Sequence, residues 1–313
     1  MLIVNPIFDT VFKHLMENNR VARFFVETII DQPVESIEVA PHEYTHFKYP
    51  SSKPKNLKEA EELIEFLAIL RYDFVAKIRT PNGYKKVLIE IQKGKNEIDL
   101  LRFRNYLGEQ YKRKDVVLED GKETEKVLPV ITIYLLGFKL QEAEAVVIHV
   151  SRVYKDVITH KELNVKSDFI ECLTHDSYVV QIPRIEKKTR TRLEKLLSVF
   201  EQSDFYDSKG ILKNYPFDTE DDNISTIIKL LGRLAADPKT VAEIEDELRS
   251  NEYWENVVIS RDNKIAEQKK EIMEISKALD EKDKALDEKD KALEAERKER
   301  IKLEIELKKL KQK

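Results

Sequence analysis

Two short runs, RYDFVAKIRT (71–80) and GYKKVLIEIQ (83–92), alternate polar and apolar residues around Pro81-Asn82. That alternation predicts a pair of β-strands. Phe74, Ala76 and Ile78 share one face of the first strand, leaving Asp73, Val75 and Lys77 on the other. Val87, Ile89 and Ile91 share a face of the second, with Leu88, Glu90 and Gln92 opposite. Pro81 suits the second position of a type I turn and Gly83 its last. Pairing Thr80 with Gly83 joins the two apolar faces and sets Asp73 opposite Glu90. A bulged turn would slip the pairing by one and turn Val87, Ile89 and Ile91 to the wrong side. Side chains opposed in this way have Cβ atoms about 5 Å apart. Two ionised carboxylates at that spacing repel unless a cation lies between them, and hard oxygen donors suit Mg²⁺ or Mn²⁺. Such an ion polarises a phosphodiester and activates water. The plainer reading is a solvent-facing Asp and Glu on a half-buried sheet; on either reading neither carboxylate is needed for packing.

Other clusters carry less. His42-Glu43-Tyr44-Thr45-His46 fits H-E-x-x-H, which binds zinc only when both histidines share one face of a helix. Pro41 before it, Pro50 after it and a strand-like lead-in argue against that helix. Cys172, His175 and Asp176 lie close in sequence, a spacing read as incidental. The seven glycines form no phosphate-binding loop, so no nucleotide cofactor is expected.

The elements that must position the hairpin can be read by period. Residues 5–30 read as helix, either continuous or broken before Val21. Ser36–Ala40 reads as a strand, 56–68 as a helix, and 97–114 as a helix rich in Arg, Tyr and Lys. Val130–Leu136 is a buried strand by its β-branched content. Strands are also expected at 145–153 and 178–182. After that the period becomes helical, at 188–201, 224–236 and 239–250, followed by a long helix from about 252 without Gly or Pro. This divides the chain into an α/β domain (1–187), a helical extension (188–251) and a charged helical tail (252–313).

Composition bounds the function. The chain has 313 residues, 41% of them hydrophobic, enough for a substantial core. Of its 55 Lys+Arg and 59 Asp+Glu, 17 and 15 lie in 261–313, leaving 38 basic and 44 acidic residues before it. An acidic balance of this kind argues mildly against nucleic-acid binding without excluding a local basic groove. A single cysteine excludes an internal disulfide, and no segment reads as a signal peptide or membrane span, so a cytoplasmic setting is expected.

Four segments in order resemble the Rpn family of recombination-promoting nucleases, also described as PD-(D/E)XK nuclease family transposases. NPIFDTVFKHL (5–15) is similar to the family's Asp-x-x-Phe-Lys helix. RYDFVAKIRTPNGYKKVLIEIQ (71–92) is similar to its Asp strand, turn and Glu-x-Gln strand. LLRFRNYLGEQY (100–111) resembles its Arg- and Tyr-rich helix, and LPVITIYLLGF (128–138) the strand that follows. The resemblance covers roughly 5–185. It implies a restriction-endonuclease-like core, a mixed sheet flanked by helices, and Mg²⁺- or Mn²⁺-dependent cleavage of DNA linked to recombination, mobile elements or phage defence. Asp73 and Glu90 would hold the ion, with Asp9 as a further ligand. Gln92 stands where such nucleases usually carry Lys; an amide orients water but supplies no positive charge. Lys77 or Lys13 would supply that charge. Lys13, Arg102, Arg104, Tyr106, Lys112 and Arg113 are the expected DNA contacts. The alternative is a nuclease-derived interaction protein that has lost cleavage and acts through its C-terminal helix.

That helix carries Ile265, Ile272, Leu279, Leu286 and Leu293 at seven-residue intervals within the near-repeats KALDEKD, KALDEKD and KALEAER (277–297). A coiled coil wants two apolar positions per heptad, and here the second is mostly Ala or charged, with Ala278, Ala285 and Ala292 beside the stripe, so the seam is narrow. The pattern leaves open a single charged helix supported by Glu–Lys pairs, or a tail that makes a homo-oligomer or docks on a partner.

Overall fold

The computed structural model describes residues 1–40, 59, 74–92, 97–186, 190–203, 205, 209–215 and 220–310, without the side chains of 97–99, 101–102, 254–255 and 306–310. The described residues up to Tyr253, Glu59 apart, form one compact unit, and those from Trp254 belong to a second.

The first unit is a mixed α/β structure. Its elements are β1 (Leu2–Val4), α1 (Asp9–Met16), α2 (Asn19–Ile30), β2 (Ser36–Val39), β3 (Phe74–Thr80), β4 (Gly83–Gln92), α3 (Glu97–Lys112), β5 (Asp115–Glu119), β6 (Lys122–Lys126), β7 (Val130–Leu136), β8 (Val147–Val150), α4 (Asp168–Leu173), β9 (His175–Gln181), α5 (Arg192–Ser198), β10 (Leu212–Asn214) and α6 (Asp222–Ala236). The last helix, α7 (Pro238–Leu310), continues into the second unit. Six strands form one sheet in the order β2-β3-β4-β7-β9-β8. β2, β3 and β4 run antiparallel in turn, β4, β7 and β9 are parallel neighbours, and β8 closes the edge antiparallel to β9. Parallel neighbours need a crossover, and α3 lies between β4 and β7 in the chain.

The register of β3 against β4 runs from Thr80↔Gly83 to Phe74↔Ile89, the pairing expected from the apolar pattern. Gly83 has φ +103°, a conformation costly for residues with a Cβ, while the Thr80 hydroxyl donates to the Gly83 carbonyl at 3.0 Å. One sheet face, with Phe74, Ala76, Ile78, Val87, Ile89, Ile91, Ile131 and Ile133, forms the main core with α1, α2, α5 and α6. The segment from Arg190 to Tyr253 shares that core through Leu196, Phe200, Ile224, Ile228 and Ile244 rather than forming a separate layer. The other face is covered by α3, whose Phe103, Tyr106 and Leu107 pack on Leu88 and Val130.

Local chemistry sets the helix ends. The helical period of 5–30 breaks at Asn18, whose side chain accepts from the amides of Arg20 and Val21 and so caps α2. The start of α1 lacks a side-chain cap from Phe8. Instead the two carboxylate oxygens of Glu247, on α7, accept from the Asp9 and Thr10 amides at 3.1 and 3.2 Å. A negative charge at a helix N-terminus is favourable. The segments 239–250 and 252 onward, read separately in the sequence, are one helix, because no Gly or Pro interrupts them after Pro238. The β5–β6 hairpin was not expected, although its Asp120-Gly121 turn, both residues with positive φ, is a strong hairpin signal.

Beneath α3, the Lys86 side chain is only 4% exposed; its ammonium lies 2.7 Å from the Asp115 carboxylate and 3.4 Å from the Gln110 amide oxygen. Lys86→Ala leaves Asp115 without this cation and is expected to lower stability by about 2–4 kcal/mol. Lys86→Met combined with Asp115→Asn, which removes both charges and keeps the volume, should recover most of that loss. Urea denaturation checks this, and equal midpoints for Lys86→Ala and wild type would show that the pair contributes nothing.

Candidate functional site

Glu90 and Gln92 are 3% and 8% exposed and alternate with Ile89 and Ile91, which face the main core. Strand alternation therefore turns both toward α3, as expected for residues sharing the face of Leu88. Across the parallel ladder Glu90 pairs with Tyr134 and Gln92 with Leu136. The Tyr134 ring lies 4.5 Å from Phe103 of α3. Burial chiefly pushes the Tyr134 phenol well above its ordinary range, opposed by a hydrogen bond with Thr132 and aided by the Glu90 carboxylate.

A polar row continues along this face. The Thr132 hydroxyl donates to Ser177 at 2.8 Å, and the Tyr111 hydroxyl lies 2.6 Å from His175 Nδ1. Burial raises the Tyr111 phenol. Burial, and next the Arg152 guanidinium, lowers the His175 imidazole below its usual value. These groups were not singled out as a set by the sequence reading. Their signal is the parity of 130, 132 and 134 against 175 and 177, visible only once β7 and β9 are known to pair in parallel.

The other expected site residues separate. Asp73 and the His42–His46 motif lie outside the described residues. Lys77 is on the expected face, but its ammonium pairs with Glu38 at 2.8 Å and donates to the Val116 carbonyl at 2.6 Å. It opposes Lys86, four residues before Glu90, so it stands roughly 13 Å down the strands. The structure thus engages Lys77 elsewhere instead of beside Glu90. Asp9 opens α1, which packs on the opposite sheet face through Phe12 against Phe74. Lys13 is partly exposed on the same helix.

On α3, Tyr106 is corrected from DNA contact to core residue. Phe103, Tyr106, Leu107 and Gln110 recur at helical spacing and are all buried, so that stripe faces inward. Arg104, Lys112 and Arg113 are exposed on the outer side, Lys112 with its ammonium 2.6 Å from Glu109, and the Arg102 side chain is outside the description. Cys172 donates weakly to the Val127 carbonyl at 3.7 Å, and Asp176 is held by Arg152 at 3.1 Å, so the Cys–His–Asp spacing builds no shared site among the described bonds.

Among the described residues of the Glu90 face, the Glu90 carboxylate and the Gln92 amide oxygen, two residues apart, are hard oxygen donors of the kind a divalent ion takes. Among the described residues no three His, Cys, Asp or Glu side chains converge as a metal site. Nor is any described helix long and apolar enough to cross a membrane. No family model matches the chain, and no curated protein or solved structure does so either.

Proposed function

We propose that this chain is a divalent-metal-dependent DNA endonuclease of the PD-(D/E)XK kind, cleaving phosphodiester bonds at a site built from Asp73, Glu90 and Gln92. The observation that carries the reading is the register of β3 on β4. It runs as far as Phe74↔Ile89 and is the pairing from which the sequence sets Asp73 opposite Glu90, while alternation along β4 puts Glu90 and Gln92 on one covered face. The four ordered segments resembling Rpn nucleases, and the mixed sheet with helices on both faces, support it further.

In this reading Asp73 and Glu90 would hold Mg²⁺ or Mn²⁺, while Asp9, on the helix that packs against the opposite sheet face, is not among the ligands. The ion, when bound, polarises the phosphate and activates water. Gln92 orients the attacking water by its amide, and Tyr134, kept neutral, donates toward the anionic centre. Arg104 and Lys112 on the outer side of α3, and Arg113 just after it, meet the DNA backbone, together with Arg102.

A plasmid-nicking assay with Mg²⁺, Mn²⁺, Ca²⁺ and EDTA tests the proposal: cleavage is expected with Mg²⁺ or Mn²⁺ and none with EDTA. Gln92→Lys restores the usual cation two residues after the Glu, so its activity should equal or exceed wild type. A dead Gln92→Lys that still binds Mn²⁺ would exclude a site of the usual type with Gln92 at its third position. The second reading, an interaction protein acting through its tail, is favoured by the exposed apolar series of α7 and would be selected if no metal and no DNA form supports cleavage.

A further inference from the structure

Beyond β8 the chain leaves the sheet as an arm. Val150 ends β8 opposite Ser177, and farther out Lys155 pairs antiparallel with Glu162. The Leu163 amide donates to the Tyr154 carbonyl and the Asp156 amide to the Lys161 carbonyl, each at 2.9 Å. Charge anchors the root: the Arg152 guanidinium meets Asp176 at 3.1 Å and Glu171 at 2.7 Å, and the Tyr154 hydroxyl donates to Glu171 at 2.6 Å. The tip is ordered too. The Asp156 carboxylate accepts from the Ile158 amide at 2.9 Å and the Thr159 hydroxyl at 2.5 Å, and His160 completes the turn with φ +57°. This turn carries Val157 and Ile158 outward at 81% and 90% exposure, the two most exposed large hydrophobic side chains among the described residues. Aliphatic groups held in water on a constrained turn gain by entering an apolar crevice.

Charge indicates which crevice. The arm, 151–166, holds four Lys and Arg against two Asp and Glu, in a chain of net charge −4. Arg152 is engaged at the root and Asp156 inside the turn, which leaves Lys155, Lys161 and Lys166 exposed with Glu162. A second copy of the arm would meet like charge; a polyanion would not. A bilayer surface is often anionic, but Val157 and Ile158 together hold fewer side-chain carbons than one acyl chain, which alone binds a membrane only marginally. A base step of DNA offers an apolar crevice between two rows of phosphates, and aliphatic wedges on basic proteins enter such steps and kink the duplex. Position agrees with this. His175, at the end of β9 where the arm departs, lies 2.6 Å from the Tyr111 hydroxyl. The arm's root therefore adjoins the end of α3 that carries Lys112 and precedes Arg113.

We infer that the arm 151–166 is a DNA wedge: Val157 and Ile158 enter between two base pairs from the minor groove, while Lys155 and Lys161 hold the flanking phosphates. The inference rests on the DNA-directed reading above, but its test needs no cleavage. Fluorescence anisotropy with Ca²⁺ compares the full chain on two duplexes of one sequence, intact or carrying a central two-nucleotide bulge that is already unstacked. Wild type should prefer the bulged duplex on the order of tenfold or more, because the protein need not unstack it. Val157→Ser with Ile158→Ser should bind both duplexes alike, with an unchanged melting temperature because both side chains are exposed. Lys155→Ala with Lys161→Ala should weaken both duplexes equally, keep the preference, and lower the salt slope by about 2. Equal wild-type affinity for the two duplexes, or a preference that survives the serine substitutions, would overturn the inference. So would tip-dependent binding to phosphatidylserine vesicles, or a tip-dependent dimer, in place of the preference. A bulge preference without cleavage in any metal would count against the nuclease reading alone.

Discussion

Glu90→Ala and Asp73→Ala should each reduce metal-dependent DNA cleavage by on the order of 10³-fold or more, since the ion contributes several kcal/mol to stabilising the transition state and each tenfold is about 1.4 kcal/mol. The two residues are expected to act as one unit, so the double variant should be little worse than either single one. Glu90→Gln separates charge from packing. The sequence placed Glu90 on a face that packing did not need, but α3 covers that face and leaves the residue 3% exposed. Alanine there opens space beneath the helix, whereas glutamine keeps the volume and removes the charge. Glu90→Gln should therefore remain as stable as wild type, fail to cleave, and bind Mn²⁺ at least tenfold more weakly by paramagnetic resonance. Wild-type cleavage by both Asp73→Ala and Glu90→Gln would refute the site assignment.

Phe12→Ala should lower the stability of the first unit by about 3–5 kcal/mol. Phe12 is 1% exposed, and its ring meets three others edge-on: Phe25 at 5.5 Å, Phe74 at 6.4 Å and Phe200 at 6.5 Å. Those partners belong to α2, β3 and the segment after α5, so one side chain joins four parts of the chain. Truncation forfeits its burial, leaves a cavity among rigid rings and loses the edge-to-face contacts. Phe12→Leu fills part of the space and should lose roughly half as much. Because α7 dominates any helical signal, amide exchange in β3 and β4 is the sharper readout. A loss below about 1 kcal/mol would show that the ring cluster does not hold α1 to the sheet.

Local pattern alone determined the β3–β4 hairpin, its register, and the shared face of Glu90 and Gln92. Alternation and turn chemistry act over a few residues, and a slip of one would expose Val87, Ile89 and Ile91. The strand at Val130–Leu136 and the long C-terminal helix were legible for the same reason: β-branched density in one, and uninterrupted helical period in the other. What lies over each face was not legible. Tyr106 and the arginines of α3 belong to one amphipathic stretch, and only packing on Leu88 and Val130 decides that the tyrosine turns inward. Lys77 shares parity with Glu90, yet its place depends on β2 and β5, which bring Glu38 and the Val116 carbonyl to its ammonium. Glu247 caps a helix 238 residues earlier in the chain, a contact no window of sequence contains. Parity and turns are local properties of the backbone; the partner across a face is chosen by the global arrangement of layers, and that arrangement decided which polar residues became site, core or surface.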